Sequence, residues 1–297
     1  MVMIMNIVEA KKIEREYYAK EHPSEADFFL YTEAMDYIIH ETADSDTMMN
    51  LGGIYYERKE FDLALKYYEM AAEYQNGDAY ECLGYIWYYG RTGIKDYQKA
   101  FEYFKKGAEA GRIISAYKMA DMYKNGYYVK QDEEKYNEII EALYPKARKL
   151  THLNEPLPEI FTRLASIRVK QNRQEEAIQL LEQAKDFLAQ RLKYHRFFGD
   201  LTIMKYLIRD LYQLIEMDEE RFDLYDLYAL CRKPVKITFC YEDQKYLLEC
   251  VDEDGYCVVH FDHHWYRSID EFFQKAYLMN RPITSYYYDL YAFEVHV

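Results

Sequence analysis

The chain has 297 residues, with 38 Lys and Arg against 52 Asp and Glu, a formal charge of −14 and a pI of about 5.1. That balance lacks the basic patch or stripe with which proteins grip a phosphate backbone, so nucleic acid is not an expected partner. Half of the residues are hydrophobic, enough for a packed core, and the length suits one elongated array or two domains. Tyr is out of proportion, with 35 residues against 15 Phe and 2 Trp.

The apolar start, Met1 to Val8, has no basic residues before it, no full-length apolar stretch and no small-residue cleavage site, so no secretory leader is expected. No later window approaches the roughly 18 apolar residues of a membrane span. Cys82, Cys231, Cys240, Cys250 and Cys257 form an odd set without a Cys-x-x-Cys pair, which fits reduced thiols in a cytoplasmic protein. Ile4–Lys20 and Glu25–His40 read as two helices separated by His22-Pro23-Ser24, with Ser24 or Pro23 opening the second. They make an N-terminal pair, residues 1–44, that caps an array or is a degenerate repeat.

A repeat then begins. Leu83-Gly84-x-x-Trp87-x-x-Gly90 matches Met119-Ala120-x-x-Tyr123-x-x-Gly126 at an offset of 36, which also carries Asp96 to Asp132 and Lys99 to Lys135. An earlier unit has Leu51-Gly52-x-x-Tyr55 and Ala64-x-x-x-Tyr68-x-x-Ala71, with four fewer residues between its helices than the unit that follows. A later unit has Leu164-Ala165-x-x-Arg168 and Ala177-x-x-x-Leu181-x-x-Ala184. Large, small and aromatic residues at this spacing share one helix face. Small residues in the second helix let the pair cross closely, and one large residue fills the gap. Such a hairpin cannot bury its face alone, so neighbours must stack.

At these residues the chain resembles a known family. Units 45–78 and 158–190 resemble tetratricopeptide repeats. Units 77–112 and 113–144 resemble Sel-one-like repeats, which have a longer loop between the helices. Gly90 to Ala100 is similar to that family's Gly-x-Gly-Val-x-x-Asp-x-x-Lys-Ala loop. In the next unit, Tyr128 stands where the second Gly is expected and Tyr136 replaces a small residue, so altered packing is expected there. Gly90, Gly93 and Gly126 are expected at backbone turns of positive φ rather than around a phosphate. Asn154 to Pro158 reads as a loop, and Arg191–Met217 and Arg221–Cys231 read as further helices, broken near Phe198-Gly199-Asp200.

After Pro234 the period changes to strand alternation. Val235–Cys240, Tyr246–Val251 and Tyr256–Phe261 read as strands, with Asp252 to Gly255 as a hairpin connection. Ser268-x-x-Glu271 fits a capping box, opening a helix whose Ile269, Phe272, Phe273, Ala276 and Tyr277 would cover one sheet face. A last strand is placed near Tyr291–Val297. Some 65 residues make a marginal lone domain, so docking on the helical array is expected. The fold expected is mainly α: an α-solenoid of stacked helical hairpins with a small C-terminal α+β domain. Its divisions are 1–44, 45–232 for the repeat solenoid with trailing helices, and 233–297 for the sheet and helix.

The resemblance to tetratricopeptide repeats implies ligand-facing positions on the first helix of each unit, along the concave face. Carried over singly, these include Tyr56, Glu81, Tyr85, Tyr88, Tyr89, Tyr117, Asp121, Lys124 and Asn125. They describe a Tyr-rich, acidic wall suited to a protein or peptide of basic or aromatic character. The competing expectation is that several of these rings pack between repeats. His260-x-Asp262-x-His264 has strand spacing and metal-competent donors, but a solvated strand end is the favoured reading. A three-thiol site at Cys240, Cys250 and Cys257 is likewise set below plain packing. No nucleophile elbow, Walker loop, dinucleotide fingerprint or His-Glu-x-x-His occurs, so no enzyme and no cofactor are expected. The function that the resemblance implies is a non-catalytic adaptor or scaffold. The alternative is an acidic inhibitor or immunity-type protein that neutralises a basic partner, partly through residues 233–297.

Overall fold

A computed structural model describes residues 5–194, 199–216 and 222–296. The chain forms two compact units, 1–139 and 140–297. In the first, seven helices precede the division: α1 (Ile7–Tyr18), α2 (Glu25–Thr42), α3 (Ser45–Glu57), α4 (Phe61–Glu73), α5 (Gly77–Tyr89), α6 (Tyr97–Glu109) and α7 (Ile113–Asn125). The division falls within α8 (Glu133–Ala147). Side-chain caps fix several helix starts. Asn6, Ser24, Asp44, Asn76 and Asp96 each accept from a backbone N–H of the first turn, and Ser24 forms a reciprocal capping box with Asp27. The first helix therefore starts at Ile7 and the second at Glu25. Residues 1–4 lie outside the described residues.

The hairpins close where the repeat spacing places small against large. A Cβ on Gly52 would lie 2.6 Å from the Tyr68 ring, and one on Gly84 would overlap the ring of Phe104. Leu51, Ala64 and Ala71 around the first crossing, and Leu83, Ala100 and Phe104 around the second, are fully buried. The loop between α3 and α4 spans residues 58–60, whereas that between α5 and α6 spans 90–96, which is the four-residue difference expected. Gly90 (φ +66°) and Gly126 (φ +68°) end α5 and α7 in the left-handed region, as the turns require. Tyr128 holds φ +67° without a glycine's freedom, so the demand for positive φ survives the sequence change. Tyr136, in place of a small residue, is buried in α8.

Much of the tyrosine excess is core. Tyr31, Tyr55, Tyr67, Tyr68 and Tyr117 are buried in this unit. Their hydroxyls reach polar partners at the core's edge: Tyr67 donates to Asp36 at 2.6 Å, and Tyr31 and Tyr18 share a hydrogen bond of 3.2 Å.

The second unit contains α9 (Leu157–Lys170), α10 (Gln174–Tyr194), α11 (Asp200–Leu211) and α12 (Leu227–Leu230), the last entered through a 3-10 turn at Leu224–Asp226. The loop expected at 154–158 is shorter, because Leu157 and Pro158 already belong to α9, whose first turn tolerates proline. α10 runs through Arg191 to Tyr194, so the expected helix beginning at Arg191 is the end of α10 instead. Gly199 (φ +94°) starts α11, while the other residues expected at this break, 195–198, fall outside the described residues. Residues 217–221, where the expected helices end and begin, lie outside the described residues, and the rest of the expected helix, 222–231, holds a 3-10 turn and a single α turn.

The sheet has five antiparallel strands in the order β4-β3-β2-β1-β7, rather than three or four. These are β1 (Val235–Tyr241), β2 (Gln244–Glu253), β3 (Tyr256–Phe261), β4 (His264–Tyr266) and β7 (Tyr291–His296). A two-stranded pair, β5 (Tyr277–Leu278) and β6 (Arg281–Pro282), follows α13 (Ile269–Lys275). The hairpin turns are Glu242-Asp243, Asp254-Gly255 and Asp262-His263, all at positive φ, which matches strand twist. α13 opens with Ser268 accepting from the Glu271 N–H, but the Glu271 carboxylate takes the Arg267 N–H at 2.7 Å, so the expected box is shifted by one residue. Phe272, Phe273 and Ala276 are buried as expected, whereas Tyr277 turns outward in β5. Phe273 packs on Tyr225 and Tyr228, and Cys250 in β2 lies against the Cys231 carbonyl, so sheet and helices share one core in this unit.

The Gly84 crossing gives a direct test. Gly84→Ala gains about 1 kcal/mol of helix propensity, yet overpacks the ring of Phe104, at a cost of about 1–3 kcal/mol or more. Urea unfolding is expected to show net destabilisation, partly recovered in Gly84→Ala/Phe104→Leu. An unchanged midpoint would show that the two helices do not cross this closely.

Candidate functional site

The expected wall lies on α3, α5 and α7, within the first unit. Tyr85, Tyr88 and Tyr89 follow one another up the face of α5. Tyr85 and Tyr89 stack with centroids 5.9 Å apart, and Tyr88 meets Tyr89 edge-on at 5.0 Å. Behind them Tyr85 and Tyr88 sit edge-on to Phe104, at 5.7 and 6.2 Å. The wall is thus continuous with the core. Tyr97 and Tyr127, which the repeat positions do not mark, extend it. They stack on each other at 4.6 Å, and Tyr88 packs against both.

Exposure divides the expected residues. Tyr89 is 42% exposed, Tyr56, Glu81, Tyr85, Tyr88, Asp121 and Lys124 are half-buried, and Asn125 is exposed. Tyr117 is buried and hydrogen-bonded to Tyr85, so it forms the floor beneath the wall. Lys124 lies over the Tyr136 ring, 4.9 Å from its centroid, and the Asn125 side chain donates to the Asp121 carbonyl at 2.8 Å. These last residues serve the α7–α8 turn as much as the wall.

Two cations that the positional rule passes over occupy the wall. Arg91 leaves the end of α5 and donates from Nε to the Tyr56 hydroxyl at 2.9 Å, with its guanidinium 5.1 Å from the Tyr89 ring centroid. Lys118 Nζ lies 5.1, 5.6 and 5.7 Å from the centroids of Tyr85, Tyr88 and Tyr89. Arg91 sits in the extra loop and Lys118 one place before the signature Met119, so repeat positions alone do not point to them. Arg58, at the matching end of α3, likewise lies over Phe28 of the preceding helix, 3.9 Å from its ring centroid.

Glu81 is the half-buried acid of the site whose carboxyl is most enclosed, with 14% of its side chain exposed. Burial pushes its carboxyl up to about 7 from an ordinary 4.5, against the opposing pull of Arg112, whose Nε is 3.9 Å away. Arg112 also pairs with Asp78. The wall is therefore aromatic with both signs of charge, and less acidic than the sequence implies.

Elsewhere, His260, Asp262 and His264 do not share a strand face. Asp262 and His263 form the β3–β4 turn, His260 stacks on Trp265 at 4.5 Å, and His264 bonds the Asp262 carbonyl at 2.7 Å. Among the described residues no three His, Cys, Asp or Glu side chains converge as metal ligands. Cys250 neighbours Cys231 and Cys257, while Cys240, opposite Lys245, lies far along the register from Cys250, which pairs with Val235.

The Sel1 repeat family model matches residues 43–73, 78–111, 113–135 and 165–186, so the two outer units are of the same kind as the central ones. The third match stops just before Tyr136. Among solved structures, a Sel1 repeat protein from Oxalobacter formigenes aligns with a TM-score of 0.55 at 21% identity, over 76% of this chain and 84% of that one. A protective antigen of uropathogenic Escherichia coli with an SLR fold aligns with a TM-score of 0.44 at 16% identity, over 68% of this chain and 47% of that one. Comparison with curated protein sequences returns no match. Among the described residues no helix is long and apolar enough to cross a membrane.

The raised carboxyl of Glu81 predicts a pH slope. The folded chain holds a proton on Glu81 that the unfolded chain loses near its ordinary value. Native protein thus binds more protons between about pH 4.5 and 7, and its stability falls as pH rises through that window. Glu81→Gln removes this component. Urea unfolding should show the variant gaining on wild type by up to roughly 3 kcal/mol across the window, whereas parallel pH profiles would place Glu81 in solvent.

Proposed function

We propose that this chain, which carries four Sel1 repeats, is a non-catalytic adaptor or scaffold that holds a protein or peptide partner on the tyrosine wall of its second and third repeats. Sel1 and related tetratricopeptide-like repeats are in general scaffolds for protein interaction. The observation that carries the reading is Tyr89. Its large ring is open to solvent, yet stacked on Tyr85, braced by Tyr88 and flanked by Arg91 and Lys118. A rigid aromatic surface of this kind loses little rotamer entropy when a partner covers it. An aromatic side chain of the partner suits that ring. A basic one is less well served, because Glu81 lies beside Arg112 and two cations already stand over the tyrosines. We place this activity in the cytoplasm, where the free cysteines would stay reduced.

A second reading, the acidic inhibitor or immunity-type protein, is favoured by a separate observation. Tyr256 and Trp265 stand exposed on β3 and β4 beside Glu253 and Asp254. That surface would meet a basic partner, and its hold would weaken with salt.

One experiment separates the two. A photo-reactive benzoylphenylalanine is placed at position 89 or at position 256 of the full chain, and both are irradiated in lysate of the source cell. The adaptor reading expects a discrete protein adduct from position 89 that persists at raised ionic strength. An adduct from position 256 alone, lost as salt rises, would transfer the function to the sheet region.

A further inference from the structure

Three of the five cysteines converge in the second unit. Cys250 and Cys257 lie on one face of the β2–β3 ladder, Cys250 opposite Val259 and Cys257 opposite Asp252, so they are diagonal neighbours on the core side. Cys231, at the end of α12, sits against them. Its carbonyl is 3.7 Å from the Cys250 sulfur, and the thiols of Cys231 and Cys257 both hydrogen-bond with that of Cys250. Cys231 and Cys250 are 4% and 2% exposed, whereas Cys257 is half-buried and reaches the surface.

A buried cysteine by itself behaves as a small apolar side chain. This group has two further properties. Donation from Cys231, and also from Cys257, draws the Cys250 thiol below its ordinary range, against burial. The thiol within reach of solvent, Cys257, is bonded to that same Cys250. An accessible thiol poised beside a second thiol that ionises readily is what reversible oxidation requires. The two sulfurs also need little movement to join. Diagonal neighbours lie near the long end of the range that a disulfide spans. Asp252–Cys257 is next to the last pair before the Asp254-Gly255 turn, so a small shift at the end of the ladder closes the gap.

We propose that Cys257 and Cys250 are an oxidation site that takes a hydroperoxide and closes into a disulfide. With hydrogen peroxide, the Cys257 thiol is oxidised to a sulfenic acid and one oxygen leaves as water. The Cys250 sulfur then attacks the Cys257 sulfur. The S–S bond forms as the S–O bond breaks, and the sulfenic oxygen departs with the Cys250 proton as a second water. Two thiols together give up two electrons, and the peroxide accepts them. A bond of this kind is transient in a reducing compartment and returns to the dithiol when thiol reductants attack it. The site uses neither the tyrosine wall nor a protein partner, so it stands apart from the adaptor reading.

The test is a disulfide map of the full chain, freshly reduced, treated with hydrogen peroxide and then alkylated. A protease that cuts after glutamate separates the two cysteines at Glu253, so the disulfide joins two peptides that reduction parts. Cys250 and Cys257 are expected in one joined pair, while Cys240, also half-buried but far along the register, stays alkylatable. In Cys250→Ser the joined pair should be lost, and Cys257 should instead keep a sulfenic acid that dimedone traps. The wild-type map needs no variant, so the test holds even if Cys250→Ser fails to fold. Absence of the joined pair, with Cys257 alkylated as readily as Cys240, would overturn the proposal. So would a link between Cys231 and Cys250 that forms equally well in Cys257→Ser.

Discussion

Everything in the first unit depends on how closely two helices can cross. Gly52 lies under the ring of Tyr68 and Gly84 under that of Phe104, with no room for even a methyl group between. Packing at this density makes each hairpin a single rigid piece. It also fixes where the rest of α5 points. With Leu83 and Gly84 turned inward, Tyr85 and Tyr88 lie along the edge of Phe104, and Tyr89 emerges beyond them. Core and wall are therefore one aromatic cluster, buried at one end and wet at the other.

That continuity accounts for the unusual amount of tyrosine. A phenol fills a core as phenylalanine does, but its hydroxyl must find a partner near the core's edge. Tyr67 finds Asp36, Tyr286 the Leu278 carbonyl and Tyr287 Asp223. Stacked repeats are thin, so most side chains in them are never far from an edge. In the wall the same residue type meets solvent and two cations, and becomes a surface that holds its shape before any partner arrives.

Much of this was legible in the sequence, because the crossings need small residues at fixed spacing and the long loops need glycines at their ends. Gly84, Ala100, Gly90 and Gly126 each state one local requirement. Four of the five sheet strands were legible from alternation. The fifth, β4, is only three residues long and follows a turn, Asp262-His263, that reaches positive φ without glycine. The candidate site was half legible. Repeat positions identify which helix face bears Tyr85, Tyr88 and Tyr89, but they treat every position as equally exposed and so include the buried Tyr117. They also pass over Arg91 and Lys118, whose place depends on the reach of long side chains.

The central claim is that the tyrosines of α5 and α7 grade from core to open surface within a few residues. Hydroxyl-radical footprinting of the unliganded full chain, read tyrosine by tyrosine by mass spectrometry, tests it most directly. The account predicts fast oxidation at Tyr89, slow oxidation at Tyr85 and Tyr88, and protection of Tyr117 comparable to that of Tyr68. Equal reactivity at Tyr117 and Tyr89, or protection of Tyr89 in the unliganded chain, would contradict it.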